Sequence, residues 1–232
     1  MKYEAQNAAI FNRDMSKKAD YANNKSIISN QHIGVRILDI LISVVALVFL
    51  LPAFLAVAIL IKLQDRGPVL FSQARIGLNG REFKCLKFRS MYTNADEILS
   101  HLLMTNPEAY AEWQADHKLR NDPRITPFGK FLRKTSLDEF PQLINVLLGQ
   151  MSLVGPRPII HAEISKYGHS FEHYASVMPG ITGLWQVMGR NDVTYHRRVA
   201  MDRMFARKRS LRLYVIILVL TIPAVLLQRG SY

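Results

Sequence analysis

Asp138 and Glu139 are adjacent carboxylates set among fixed cations: Arg133 and Lys134 lie just upstream, and Arg157 sits between Pro156 and Pro158 downstream. An Asp-Glu pair at a helix start ordinarily caps the helix and complements its dipole. Cations on both sides shift that reading, because guanidinium groups placed around two acids suit phosphate oxygens better than an ordinary solvated surface does. Two carboxylates with converging cations suit metal-assisted phosphoryl transfer.

The elements that must hold these residues run through positions 131–158. Ser136-Leu137-Asp138-Glu139 reads as a helix start of the capping-box type, with Pro141 in the first turn. From Phe140, the apolar Leu143, Ile144, Leu147 and Leu148 recur on one helical face that is predicted to bury, and Gly149 ends the helix. Residues 121–129, with Pro123, Pro127 and Gly129, read as a loop that delivers the chain to Arg133. Gly155-Pro156-Arg157-Pro158 reads as a rigid turn, and a helix is predicted over 159–167. Trp185, after Pro179-Gly180-Ile181-Thr182-Gly183, either stacks on a base or closes the core, with the core preferred.

Residues 37–61 form an apolar run long enough to cross a hydrocarbon layer, which needs roughly 20 residues. Pro52 interrupts it past the middle. Basic residues flank both ends, with Lys17, Lys18, Lys25 and Arg36 before it and Lys62, Arg66 and Arg75 after. A positive-inside tendency acting on both flanks places both on the cytoplasmic side, which fits a helix that enters and leaves by one face. Sequence physics alone also leaves a spanning helix open. Asp39, inside the run, is predicted to pair with Arg36 at headgroup level.

The expected organisation is a flexible polar tail over 1–30, a re-entrant membrane helix over 31–63, and a cytoplasmic, membrane-associated domain over 64–232. The expected fold class is α+β: a mainly helical small domain with a short β element, anchored by a proline-broken re-entrant helix and by surface amphipathic helices. The β element starts at Val69-Leu70-Phe71 and returns through a turn at 75–80 to a strand at 83–88. Cys85 fills an inward position there; as the sole cysteine it allows no internal disulfide. Residues 91–114 are helical in composition, and Leu102, Leu103, Tyr110 and Trp113 could form an amphipathic membrane patch or pack in a core. A basic helix over 196–212 leads into an apolar segment, 213–227, that is short for a span and contains Pro223; it is read as surface-bound or packed on the domain.

A net charge of +12 implies an anionic partner. Slightly positive mean hydropathy and long apolar runs favour lipid. With no zinc-ligand array and no glycine-lysine phosphate loop, a nucleic-acid partner is not expected.

In order along the chain, Arg36-Ile37-Leu38-Asp39, Gln73-Ala74-Arg75-Ile76-Gly77, Lys87-Phe88-Arg89-Ser90-Met91, Asp122-Pro123-Arg124-Ile125-Thr126, the Ser136 to Glu139 stretch with Pro141-Gln142-Leu143, Gly155 to Pro158 and Pro179 to Gly183 resemble the monotopic bacterial phosphoglycosyl transferases. These are the sugar transferases that start exopolysaccharide, O-antigen and glycoprotein glycan assembly. Two departures stand out: Met178 where the family often has Arg, and Tyr214 where an Asp is common.

The resemblance implies transfer of a hexose 1-phosphate from a UDP-hexose to undecaprenyl phosphate, with release of UMP, at the cytoplasmic face of the bacterial inner membrane. It implies Asp138 as the nucleophile that forms a phosphosugar-aspartate, Glu139 as the ligand of Mg²⁺, and Arg133, Arg157, Arg75 and Arg190 as phosphate or substrate ligands. The compact form looks like the small exopolysaccharide-initiating enzymes, with galactose preferred over glucose. The rival readings are a non-catalytic basic adaptor that binds anionic membrane lipid or partner proteins, and a direct glycosyl transferase that releases UDP. Oligomeric state leaves no mark in the sequence.

Overall fold

The computed structural model describes residues 33–116, 119–189 and 193–226, so the expected tail over 1–30 lies outside the described residues. Helix α1 (Ile33–Asp65) is a single 33-residue helix that contains Pro52. At about 1.5 Å per residue it reaches roughly 50 Å. Its most apolar window has a mean hydropathy of 3.1 and is only 6% buried, so it is long and apolar enough to cross a membrane and turns most of its surface away from the rest of the chain.

Where α1 touches the domain, the contacts are polar and specific. The predicted Arg36–Asp39 pair is absent. Arg36 Nη1 instead donates to Val146 O at 2.7 Å and Nη2 to Leu147 O at 3.1 Å. Those carbonyls end a short helix and have no partners within it. Asp39 is fully buried. Its Oδ1 accepts from Leu153 N at 2.8 Å, Ser152 Oγ at 3.0 Å and Tyr214 Oη at 2.7 Å. A buried carboxylate needs donors fixed in place, and a strand backbone supplies them better than a mobile arginine. Tyr214, one of the two departures from the family pattern, thus meets Asp39 and not the Asp138–Glu139 pair.

Strands β1 (Leu70–Ile76) and β2 (Glu82–Phe88) form an antiparallel hairpin, paired from Leu70↔Phe88 to Ile76↔Glu82. Asn79 turns the chain in the left-handed region at φ 57°, which a short amide side chain tolerates. Cys85 faces inward and is buried, and burial pushes its thiol up, as suits a core filler. Helices α2 (Ala95–Thr105) and α3 (Pro107–Asp116) pack on each other. Leu102, Leu103 and Trp113 are half-buried and Tyr110 is exposed, so none of them lies in the fully buried core. Trp113 instead lies under the Arg124 guanidinium, 4.9 Å from its ring centre.

The stretch read as a loop over 121–129 ends in a helix start. Thr126 caps α4 (Pro127–Thr135), its Oγ1 accepting from Gly129 N at 2.8 Å, with Pro127 in the first turn. Gly129 lies inside α4 because a β-carbon there would stand 2.0 Å from Ser90 O. The capping box at Ser136 is a second correction. Ser136 is the left-handed residue that ends α4, at φ 59°, and its side chain caps nothing. Leu137–Glu139 is a 3-10 turn, and α5 (Gln142–Leu147) begins beyond Pro141. Its buried face carries Gln142, Leu143, Asn145 and Val146, while Ile144 and Leu148 are exposed. The 3-10 turn rotates the helix away from the face that the apolar spacing suggested.

Strands β3 (Ser152–Val154) and β4 (Gly180–Thr182) form a parallel pair. Between them the helix expected over 159–167 is cut short: a 3-10 turn (His161–Glu163) precedes α6 (Ile164–Tyr167), and α7 (Phe171–Ala175) follows. Helix α8 (Leu184–Met188) carries Trp185, buried in the core with the Arg198 guanidinium 4.6 Å over its ring. The basic helix α9 (Tyr195–Lys208) stops before residue 212, and α10 (Leu211–Leu226) then packs on α8, β3 and β4 with Tyr214 and Ile217 buried. Val215, Val219 and Ile222 on α10 are exposed. The fold is thus mainly helical with short sheets, as the α+β expectation had it.

Candidate active site

The 3-10 turn Leu137–Glu139 is pressed against β2, and this brings Lys87 to the two acids. Lys87 Nζ lies 2.7 Å from Glu139 Oε1 and 3.9 Å from Asp138 Oδ2. Asn145 fixes that edge of β2: its Oδ1 accepts from Leu86 N at 2.9 Å and its Nδ2 donates to Lys84 O at 2.8 Å.

Arg157 reaches the same carboxylate from the opposite element, Nη2 to Glu139 Oε1 at 3.2 Å. The turn that carries it is zipped to β4, with Gly155 N donating to Thr182 O and Gly180 N donating to Pro156 O, both at 2.8 Å. A β-carbon on Gly180 would stand 2.0 Å from Gly155 N, so only glycine allows this approach. Two motifs far apart in sequence therefore form one support for Arg157.

Arg75, Lys87, Glu139, Gln142, Arg157 and Pro158 line a small, open cleft. Arg75 Nη1 donates to Pro158 O at 3.0 Å and its Nη2 to Gln73 Oε1 at 2.7 Å. Arg133 does not line this cleft. Its Nε donates to Ser90 Oγ at 2.8 Å, and its charge acts on the Asp138 side of the pair. Arg190 lies outside the described residues.

The neighbouring acids shift in opposite directions under the same kinds of influence. Burial raises Asp138 above the usual aspartate value and Glu139 beside it adds to the rise, against the pull of Lys87, Arg133 and Arg157. For Glu139 burial also acts upward, but Arg157 and Lys87 outweigh it and hold the carboxyl down at about 2. Such a separation lets two adjacent carboxylates take different chemical roles.

Lys87 is the site residue that sequence reasoning missed. The signal was present: residues two apart in a strand share a face, so an inward Cys85 already placed Lys87 inward. Ser90 and Gln142 join the site only through tertiary contact. No cluster of three or more metal-ligating side chains occurs among the described residues. Asp138 and Glu139 are still a suitable donor set for Mg²⁺, which is commonly held by one or two carboxylates with substrate phosphates and water completing the shell.

Residues 30–228 match the profile of the bacterial sugar transferases. The exopolysaccharide production protein ExoY of Sinorhizobium fredii is 49% identical over 200 residues, covering 86% of this chain and 88% of its own. The undecaprenyl-phosphate galactose phosphotransferase of Salmonella typhimurium is 46% identical over 197 residues, 85% of this chain and 41% of that protein. The UDP-glucose:undecaprenyl-phosphate glucose-1-phosphate transferase of Xanthomonas campestris is 42% identical over 202 residues, 84% of this chain and 39% of that protein.

Proposed function

The chain belongs to the bacterial sugar transferase family, and on that premise we propose that it transfers a hexose 1-phosphate from a UDP-hexose to undecaprenyl phosphate and releases UMP. The observation that carries this reading is the Asp138–Glu139 pair, its two carboxyls shifted in opposite directions and met by Lys87 and Arg157. Asp138 attacks the β-phosphorus of the nucleotide sugar. The bond from that phosphorus to the bridging oxygen breaks, and UMP leaves with the electron pair. An oxygen of undecaprenyl phosphate then attacks the same phosphorus and returns Asp138 as a free carboxylate.

An anionic nucleophile approaching a diphosphate needs charge compensation, which Arg75, Lys87 and Arg157 supply along the cleft and Arg133 on the Asp138 side. Glu139, kept ionised, would hold Mg²⁺, which when bound would neutralise charge on the diphosphate. Galactose is proposed over glucose as the hexose; both sugars occur in the names of similar proteins.

The deciding experiment incubates the protein with UDP-hexose and no lipid acceptor. A hexose phosphate on Asp138 that discharges on addition of undecaprenyl phosphate is the expected result. An unmodified mass, with rapid UMP release once lipid is supplied, would indicate direct displacement, and release of UDP would indicate a glycosyl transferase. No nucleotide release at all would leave the adaptor reading.

The exposed apolar surface of α1 inserts into the membrane from the cytoplasmic side, and Pro52 lets it leave by the same face. Single cysteines placed near Lys25 and Asn79 in a Cys85→Ala background should both be labelled from the cytoplasmic side alone. Periplasmic labelling at Lys25 would instead establish a span.

A further inference from the structure

Ile76, at the end of β1, and Ile159, just after the Arg157 turn, form an antiparallel bridge with one irregularity. Ile76 N donates directly to Ile159 O at 2.9 Å. In a regular hydrogen-bonded pair the reciprocal bond would run from Ile159 N to Ile76 O. Here the hydroxyl of Tyr174 is inserted: it accepts from Ile159 N at 3.1 Å and donates to Ile76 O at 2.7 Å. All three residues are buried.

We propose that Tyr174 is a positioning residue for the diphosphate cleft, its hydroxyl serving as a spacer that sets the distance between the Arg75 strand and the Arg157 turn. Ile76 follows Arg75, and Ile159 lies two residues after Arg157. The two segments meet again where Arg75 donates to Pro158 O. The spacer therefore joins the backbone one residue after Arg75 to the backbone two residues after Arg157, and both arginines line the cleft.

Its own placement is firm. The Tyr174 ring stacks with Phe171 at 6.0 Å and meets Tyr167 edge-on at 5.1 Å. Tyr167 in turn donates to Asp202 Oδ2 at 2.7 Å, which ties the group to α9. Burial also raises the Tyr174 hydroxyl, so it stays a donor across the working pH range. Without the hydroxyl, the N–H and C=O either close on each other, drawing the two segments together, or remain buried and unpaired. Either outcome moves the arginines relative to one another.

This inference rests on the transferase reading, in which the cleft holds the diphosphate, and the test separates the two. In Tyr174→Phe, the KM for UDP-hexose should rise about tenfold while kcat stays within about twofold, because a small misplacement of phosphate ligands weakens productive binding. Tyr167→Phe keeps the spacer and removes only the bond to Asp202; it should lower Tm and leave KM unchanged. In an Arg157→Lys background the Tyr174→Phe effect on KM should shrink to about twofold, because the ligand it positions is already altered. If Tyr174→Phe fails to fold, Phe171→Leu retains the hydroxyl on a looser ring and should raise KM about threefold.

A folded Tyr174→Phe protein with wild-type KM would overturn the proposal, as would an equal rise in Tyr167→Phe or a full effect in the Arg157→Lys background. So would a wild-type KM in Phe171→Leu where that variant has to stand in. The same series read by UDP binding in calorimetry needs no turnover. A wild type that binds UDP but releases no UMP would refute the transferase reading alone, and the binding series would then decide the role of Tyr174. A wild type that binds no UDP would overturn both.

Discussion

Two acids in this protein, Glu139 half-buried at the cleft and Asp202 fully buried, have opposite surroundings. Glu139 faces Lys87 and Arg157 and is held down at about 2. Asp202, on the buried side of α9, is pushed up to about 7 by burial, against the Tyr167 hydroxyl bond and the Arg198 charge. Desolvation pushes both upward, so burial alone does not decide whether an acid stays charged. The difference is that two cations touch Glu139 and a neutral hydroxyl touches Asp202. A carboxylate kept ionised by cations that a phosphate can also engage is prepared for chemistry. One kept near neutrality by burial acts as a scaffold, and the Tyr167–Asp202 bond ties α6 to α9.

The sharpest way to break this contrast is at Asp138. Asp138→Asn should abolish the covalent adduct and lower turnover by about a thousandfold or more. Stability should hold or rise, because burial already disfavours the charged form at that position. In the wild type the same upward pressure places the acid limb of adduct formation above the ordinary aspartate value of 3.8, so pre-steady-state rates should fall with decreasing pH before a free aspartate would titrate.

Next in size are the cations. Lys87→Met, Arg133→Ala and Arg157→Ala should each cost about 1.5–3 kcal/mol in kcat/KM, roughly 10- to 150-fold, through lost charge-assisted contacts. Lys208→Ala, at the exposed end of α9, should leave kcat/KM unchanged. Equal activity in all four would remove the role assigned to the cations. Glu139→Gln comes third. It should slow both half-reactions and raise the Mg²⁺ concentration for half-maximal rate by about tenfold, because a neutral amide is a poor ligand for a hard cation.

The smallest effect on activity is expected at Asp202, where Asp202→Asn should leave KM and kcat unchanged and alter only the pH profile of Tm. The folded-state value of Asp202 is raised to about 7 from 3.8, so its contribution to stability is fully present below 3.8 and is lost as pH rises through 7. Glu139 has the opposite sign: its folded value of about 2 lies below 4.5, so its contribution is present above 4.5 and is lost as pH falls through 2. Asp202→Asn should therefore flatten the neutral side of the stability curve, and Glu139→Gln the acid side. Tm measured from pH 2 to 8 for both variants checks the two signs.

The sequence by itself determined the chemistry-bearing residue types, the apolar run that becomes α1, the β1–β2 hairpin and the inward Cys85, because local periodicity and turn chemistry dictate such features. It also placed Asp138 and Glu139 side by side between cations. It misjudged the backbone that carries them, since a Ser-x-x-Glu pattern does not reveal that Ser136 closes the preceding helix in a left-handed conformation. Only the tertiary structure decided which cations reach which acid. Lys87 and Arg157 arrive from a hairpin and from a glycine-zipped parallel pair, Arg133 turns to Ser90, and Asp39 leaves Arg36 for Ser152, Leu153 and Tyr214. These partners are separated by 18 to 175 residues, and such pairings depend on how whole elements pack, which no local pattern of residue types encodes.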